Sequence, residues 1–175
     1  MPKQEFPFPM PNGWFCISRS SELKIGEVKA LKFCEKDVVA FRTESGEVSV
    51  LDAFCPHLGA HLGEGGCVKG ETIECPFHAW RWNTDGSCAE IPYANNFPPK
   101  AKDTKIFQYP TKEVNGFIWA WHHLLKEDPY FELPVIEGFP TPTDTPVPTS
   151  TSAPTSTPSP TTTVAPTPTQ TPGLT

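Results

Sequence analysis

Four residues of two types, placed in two short groups, carry the clearest chemical signal in this chain. Cys55 and His57 stand in CPH, and Cys75 and His78 stand in CPFH, with seventeen residues between the groups. A tight loop can point one sulfur and one ring nitrogen at a common centre while a second loop closes from the opposite side. Two thiolates suit one iron of a two-iron, two-sulfur cluster and two imidazoles suit the other. The spacing therefore predicts an electron-transfer site.

The alternative metal is zinc, which also binds sets of two Cys and two His. Structural zinc sites usually pair Cys with Cys and His with His along the chain, whereas each group here is mixed. Gly59, which follows the first group, suits the unusual backbone angles that such a loop requires. We therefore favour the cluster over zinc.

The sequence around these residues resembles the Rieske domain of Rieske-type oxygenases. The resemblance rests on DAFCPHLGAHLGEGGCVKGETIECPFHAWRW and DGSCAEIPYA, with weaker likeness in PNGWF, NGFIWAWHH and PYFELPVI, and covers about residues 11–137. Within the family the chain is most similar to the sterol-acting branch, which includes the cholesterol 7-desaturases (Neverland family) and, more distantly, the bacterial ketosteroid hydroxylases. One departure is Ala79, because the family usually has Gly after the second His. The resemblance implies one Rieske [2Fe-2S] cluster per chain, bound by Cys55, His57, Cys75 and His78.

The resemblance also separates this chain from respiratory-chain Rieske proteins. Those proteins carry an extra Cys in each cluster loop and a Ser whose hydroxyl donates to a cluster sulfur. The corresponding positions here hold Ala60 and Phe77, and no Ser follows His78. Because hydrogen bonds to the sulfurs help to set the potential, we expect a low potential and electron transfer towards an oxygen-activating metal.

The resemblance implies a role as the electron-transfer part of a Rieske-type oxygenase or desaturase system, with sterols as a candidate substrate class. A reductase or ferredoxin would donate electrons, and an oxygenase catalytic domain or another oxidase would accept them. Complete oxygenases add a mononuclear iron held by two His and one carboxylate. No such set follows residue 90, so we expect the chain to lack the catalytic domain and not to be a complete oxidoreductase alone. The alternatives are a free-standing Rieske ferredoxin and a remnant without a present partner.

Composition changes sharply towards the C-terminus. Residues 140–175 are almost entirely Pro, Thr and Ser, with Asp144 as their one charged residue. A segment without large apolar side chains cannot bury enough surface to offset its chain entropy, so we predict a disordered tail. The sequence thus divides into an N-terminal extension (1–12), the Rieske domain (13–125), a C-terminal extension (126–139) and the tail (140–175).

Charge and hydropathy restrict partners and location. The net charge of −6 argues against nucleic acid as a partner. No stretch approaches the roughly 20 apolar residues of a membrane helix, and the N-terminus lacks the apolar core of a secretory signal. We expect a soluble protein in the cytoplasm or another reducing compartment. There the four cysteines outside the site should stay reduced. A Cys67–Cys88 disulfide is the one pairing to check. Those four are Cys16, Cys34, Cys67 and Cys88.

The remaining pattern predicts an all-β fold without a sustained helix. Alternation and β-branched residues favour strands at 28–33, 37–42, 47–54 and 72–76, and hairpins around TESG and TDGS. Residues 105–110 and 116–123 are expected to form two more strands, joined by a turn at Asn115-Gly116. The expected architecture is a Rieske-type iron-sulfur domain of small antiparallel sheets, with the cluster-binding loops as a lobe at one end.

Other aromatic residues and histidines have simpler interpretations. Trp80 is expected to pack over the cluster, with ordinary core packing as the equal alternative. His61 is expected to support the first loop or to be exposed, because the ligand set is already complete. His122 and His123 end a predicted strand and are expected on the surface.

Overall fold

The computed structural model describes residues 9–96 and 98–139. This part of the chain contains eleven strands in three antiparallel sheets, which confirms the predicted all-β class. It also holds a 3-10 helix (Ser20–Glu22) and a five-residue α-helix, α1 (Pro99–Asp103), neither of which was predicted. No helix there is long and apolar enough to cross a membrane. The predicted tail, 140–175, lies outside the described residues. The strands are β1 (Gly13–Arg19), β2 (Val28–Phe33), β3 (Lys36–Arg42), β4 (Val48–Asp52), β5 (Cys67–Lys69), β6 (Thr72–Glu74), β7 (Arg81–Asn83), β8 (Cys88–Glu90), β9 (Gln108–Tyr109), β10 (Thr111–Val114) and β11 (Phe117–His122).

The three sheets stack on two hydrophobic cores. The outer sheet has the order β1-β11-β10, the central sheet β2-β3-β4-β9, and the lobe sheet β5-β6-β7-β8. One core lies between the outer and central sheets, and the other lies between the central and lobe sheets. The central sheet is therefore covered on both faces.

Strand β3 shows how the sequence specifies this layering. Val38, Val39, Ala40 and Phe41 are all fully buried. Because successive side chains on a strand point to opposite faces, Val39 and Phe41 pack in the core on the lobe side while Val38 and Ala40 pack in the core on the outer side. The unbroken apolar run VVAF is thus the expected pattern for a strand with no solvent face.

The predicted pairing at the C-terminal end is partly wrong. The turn at Asn115-Gly116 is correct, and both residues have positive φ. However, the strand before it is β10, whereas β9 pairs with Val50 and Leu51 of β4 in the central sheet. Pro110 separates β9 from β10, and since proline has no N–H to donate to a ladder, the chain passes from one sheet to the next there. Strands β1 and β5 were also missed.

The C-terminal extension lies along the outer sheet without forming a strand. The indole N–H of Trp14 donates to the carbonyl of Phe131 at 3.0 Å. The Asn115 side chain donates to the carbonyl of Pro134 at 2.8 Å and accepts from the N–H of Ile136 at 2.9 Å. These contacts attach the extension to the sheet at two points.

The expected surface location of the two adjacent histidines is wrong. The His123 side chain is only 8% exposed and lies 3.6 Å from the carboxylate of Glu127. His122 is half-buried, and its ring packs edge-on against Phe15 and Phe33. Residues after the strand fold back over its end, which a sequence pattern limited to the strand could not show.

The Cys67–Cys88 pairing that the sequence left to be checked does not form a disulfide, since both residues are free thiols. Cys67 begins β5 and Cys88 begins β8, which are the two opposite edges of the lobe sheet. Each step between adjacent strands of a sheet is about 4.8 Å, and β5 and β8 are three steps apart. A disulfide needs its two Cα atoms within about 7 Å of each other. Two intervening strands therefore keep the two thiols too far apart.

A buried ion pair links the central and outer sheets. Arg42 and Glu113 are 11% and 10% exposed, and the guanidinium donates to both carboxylate oxygens, at 2.9 and 2.7 Å. Arg42 also donates to the carbonyls of Leu23 and Gly46. Burial raises the pKa of Glu113, but the hydrogen bonds, chiefly from Arg42, outweigh burial and hold that pKa below its ordinary value.

We expect Glu113→Gln to destabilise the fold by about 3 kcal/mol, because the substitution leaves a buried guanidinium without its counter-charge. Glu132→Gln, which removes the exposed partner of Lys112, should cost less than about 1 kcal/mol. Urea unfolding followed by circular dichroism measures both. The Glu113 contribution should be complete above the unfolded carboxyl pKa of about 4.3 and be lost as the pH falls below it. Equal effects of the two substitutions would contradict this assignment.

Candidate metal centre

Two loops at one end of the lobe sheet carry the four predicted ligands. The first loop follows β4 and begins with Cys55-Pro56, and the second follows β6 and begins with Cys75-Pro76. In the first loop, the N–H of Cys55 donates to the carbonyl of Ala60 at 2.8 Å, and the N–H of Gly59 donates back to Cys55 at 2.8 Å. This pair of bonds closes the loop around the position of His57.

The second loop repeats the same backbone pattern. The N–H of Cys75 donates to the carbonyl of Trp80 at 2.8 Å, and the N–H of Ala79 donates to the carbonyl of Cys75 at 3.0 Å. Four residues after each cysteine the backbone is left-handed, with φ of +75° at Gly59 and +56° at Ala79. Ala79 therefore occupies a conformation that favours glycine. This explains why the family usually has Gly at this position.

The two loops differ in which position holds the histidine. His57 is the second residue after its cysteine, and His78 is the third after its own. The matching positions hold Leu58 and Phe77, which are 64% and 63% exposed. Each loop thus presents one imidazole and one exposed apolar side chain.

Burial sorts the four candidate ligands by type. Cys55 and Cys75 are 1% and 3% exposed and belong to the core that joins the lobe to the central sheet. His57 and His78 are half-buried, and their ring centroids lie 4.8 Å apart. The sulfurs therefore lie on the inner side of the site and the imidazoles on its outer side.

The environment of Cys55 favours a neutral thiol when no metal is bound. Burial raises the pKa of Cys55 to about 11, the backbone N–H of His57 lowers it, the neighbouring Cys75 thiol raises it and the Trp82 indole lowers it. Burial disfavours the charged form of any thiol. Positive metal ions would reverse that preference, because a coordinating thiol loses its proton outright.

The donor types and their burial suit a two-iron cluster. Both sulfurs lie on the inner side of the site and both imidazoles on its outer side. A tetrahedral zinc needs four donors around one point, whereas a [2Fe-2S] cluster of this type takes two donors at each end. The residues present fit the cluster.

Comparison with known proteins identifies the family. The model of the Rieske [2Fe-2S] domain matches residues 13–110, more than half of the chain. The chain belongs to the Rieske [2Fe-2S] domain family. A Rieske domain implies one [2Fe-2S] cluster per chain and a role in electron transfer.

The relatives of this Rieske domain include longer oxygenases and desaturases. Cholesterol 7-desaturase nvd of Drosophila melanogaster is 44% identical over 135 residues, which is 77% of this chain and 31% of the relative. The oxygenase component of 3-ketosteroid-9-alpha-monooxygenase from Rhodococcus rhodochrous is 42% identical over 129 residues, covering 73% and 33%. A structure of the oxygenase and ferredoxin complex of carbazole 1,9a-dioxygenase matches with 28% identity and a TM-score of 0.56, covering 63% and 28%. The chain thus spans about a third of the curated relatives it matches.

Trp80 and His61 each make contacts within the Rieske loops. The Trp80 ring stacks on His57 with centroids 4.4 Å apart, and its N–H donates to the hydroxyl of Tyr93 at 2.6 Å. Trp80 also packs against the core, which bears out the core-packing alternative. Its packing over the cluster stays a prediction. His61 accepts a hydrogen bond from the N–H of Gly63 at 3.1 Å, inside the first loop.

Sequence reasoning missed two residues of the Rieske site. Tyr93 holds the Trp80 indole, but it lies thirteen residues further along the chain with no pattern to connect them. Trp82 is fully buried beside the cysteines. Alternation along β7 could have placed Trp82 on the inner face, but only packing brings it to Cys55.

We expect Ala79→Gly to raise the thermal midpoint by a few degrees, because it removes the strain of a left-handed alanine, worth about 1 kcal/mol. Gly59→Ala makes the reverse exchange at the matching position of the other loop. Nothing lies within 4 Å of the Cβ that it would add, so only backbone strain should lower its midpoint. Loss of visible cluster absorbance on heating measures both variants. Shifts of the same sign would contradict the equivalence of the two positions.

Proposed function

We propose that Cys55 and Cys75 ligate one iron of the cluster and that His57 and His78 ligate the other. We further propose that the protein passes single electrons from a reductase or ferredoxin to the oxygen-activating iron of an oxygenase or desaturase that acts on sterols. The observation that carries this proposal is the sorting of the four side chains, with both sulfurs in the core and both imidazoles at the surface.

The sorted ligands give each half of the site a separate task. When bound, a [2Fe-2S] cluster accepts and releases one electron. Cys55 and Cys75 would hold it in a dry core, where water has no access to the sulfurs. The half-buried rings of His57 and His78 would form the short route to a docked partner.

The surface around the two histidines supports docking of a protein partner. Four large apolar side chains in or next to the two loops are at least half exposed, and we call them the apolar collar. Exposed apolar patches commonly mark interaction sites, and aromatic residues are enriched at interface cores. The members of the apolar collar, with their exposed fractions, are Phe54 (50%), Leu58 (64%), Phe77 (63%) and Tyr93 (63%).

The comparisons support the class of partner and substrate. Two relatives are named as a cholesterol 7-desaturase and as the oxygenase component of a ketosteroid monooxygenase. The matched carbazole dioxygenase structure contains an oxygenase together with a ferredoxin. An oxygen-activating iron would need a second site of His and carboxylate ligands, and no such group is assembled in the described part of this chain.

We expect His78→Ala to abolish the Rieske-type EPR signal of the reduced protein and to lower its iron content, because one iron loses a ligand. His61→Ala serves as the matched control, since this nearby imidazole accepts a hydrogen bond from the Gly63 N–H and packs against the Phe54 ring. It should keep the signal and the iron. A normal Rieske spectrum in His78→Ala would contradict the ligand assignment.

A reconstituted electron-transfer assay tests the proposed function. The protein is reduced through a reductase, and its reoxidation is followed with and without the separately produced catalytic domain of a cholesterol 7-desaturase, with cholesterol and oxygen present. We expect faster reoxidation and sterol oxidation only when the catalytic domain is added. Reduction followed by transfer to an unrelated oxidase, with no response to that domain, would favour the free-standing ferredoxin instead.

A further inference from the structure

One buried polar group near the proposed cluster has no partner. Trp82 is fully buried, and its indole Nε1–H makes no hydrogen bond to any described residue. A buried donor left unpaired costs about 1–3 kcal/mol, and such groups are rare in native structures. The unpaired N–H therefore indicates an acceptor that becomes available only when the site is filled.

Trp82 is the exception among the five tryptophans. The other four indoles each donate to an oxygen atom within 3.1 Å, whether they are buried or exposed. Their acceptors are the carbonyls of Phe131, Val114 and Glu127 and the hydroxyl of Tyr93.

The unpaired indole lies beside the cysteine side of the site. Trp82 packs in the same core as Cys55 and Cys75. Its indole approaches the Cys55 thiol closely enough to lower the pKa of that thiol, although it does not reach the geometry of a hydrogen bond. The sulfur of Cys55 therefore lies in the same buried surroundings as this N–H.

We propose that the Trp82 indole donates a hydrogen bond to sulfur on the cysteine side of the bound cluster and thereby raises its reduction potential. The inference rests on the proposed ligand set. Sulfur becomes more negative when the cluster gains an electron, so a fixed N–H donor stabilises the reduced form more than the oxidised form. Trp82 would partly replace the Ser hydroxyl that this chain lacks after His78.

The test compares two tryptophan variants of the full-length, cluster-loaded protein in redox titrations at one pH. Trp82→Phe keeps an aromatic ring in the core but removes the donor. At a fixed applied potential we expect the ratio of reduced to oxidised cluster to fall on the order of tenfold, which is about 59 mV for a one-electron couple. Trp121→Phe, which removes a buried indole N–H from the outer sheet, should leave the ratio unchanged.

The outcomes separate this inference from the proposed function. A Rieske-type EPR signal in Trp82→Phe with an unchanged potential overturns the role of Trp82. An unmodified protein that carries no Rieske-type cluster overturns the proposed function instead.

If Trp82→Phe fails to hold a cluster, indole-15N labelling of the Trp80→Phe protein provides the second measurement. Trp80 is removed there because it is the other indole next to the site. A 15N hyperfine coupling in the reduced cluster supports the Trp82 bond. The absence of any such coupling overturns it.

Discussion

The proposed function of this protein depends on two cysteine-bearing loops being held together on a common buried core. A thiol in such a core resists ionisation, as the raised pKa of Cys55 shows. The same burial that disfavours a bare thiolate strengthens its attraction to a metal ion, since the effective dielectric constant is low. The loops must therefore be positioned by the fold before the cluster binds, and every layer of the structure contributes to that.

Each layer of the structure supports the next, from the outer sheet to the lobe. The outer sheet and the Arg42–Glu113 pair fix the central sheet, and strand β3 then presents Val39 and Phe41 to the lobe. Within the lobe, the backbone at Gly66 lies close to the backbone of Leu62. Only glycine fits there, because a Cβ on residue 66 would lie 2.1 Å from the carbonyl oxygen of Leu62. The two loops can then share one backbone conformation and still present His57 and His78 at different positions along the chain.

The sequence predicted what depends on local spacing. The strand patterns of β2 to β4, the Asn115-Gly116 turn and the choice of the four candidate ligands each follow from patterns within a few residues. Strand β10 was missed because its sequence TKEV holds one apolar residue, Val114, so the predicted strand ended at Pro110. Strand β5 is too short, at three residues, to show alternation.

Other features of the site depend on tertiary contacts. Nothing in the sequence around Trp82 distinguishes a core indole from one that faces a cysteine, and only the unpaired N–H in the folded chain does so. The partial burial of His122 and His123 likewise follows from the return of the chain over the end of β11. In contrast, the positive φ of Ala79 could be anticipated from the family's glycine, because it reflects a backbone requirement that the loop itself imposes.

The most direct test of the central claim is the metal and sulfide content of the full-length protein, produced with ample iron and sulfur. The account predicts two iron atoms and two acid-labile sulfides per chain, in keeping with the Rieske [2Fe-2S] domain. A colourless protein that holds a single zinc ion and no labile sulfide would contradict it.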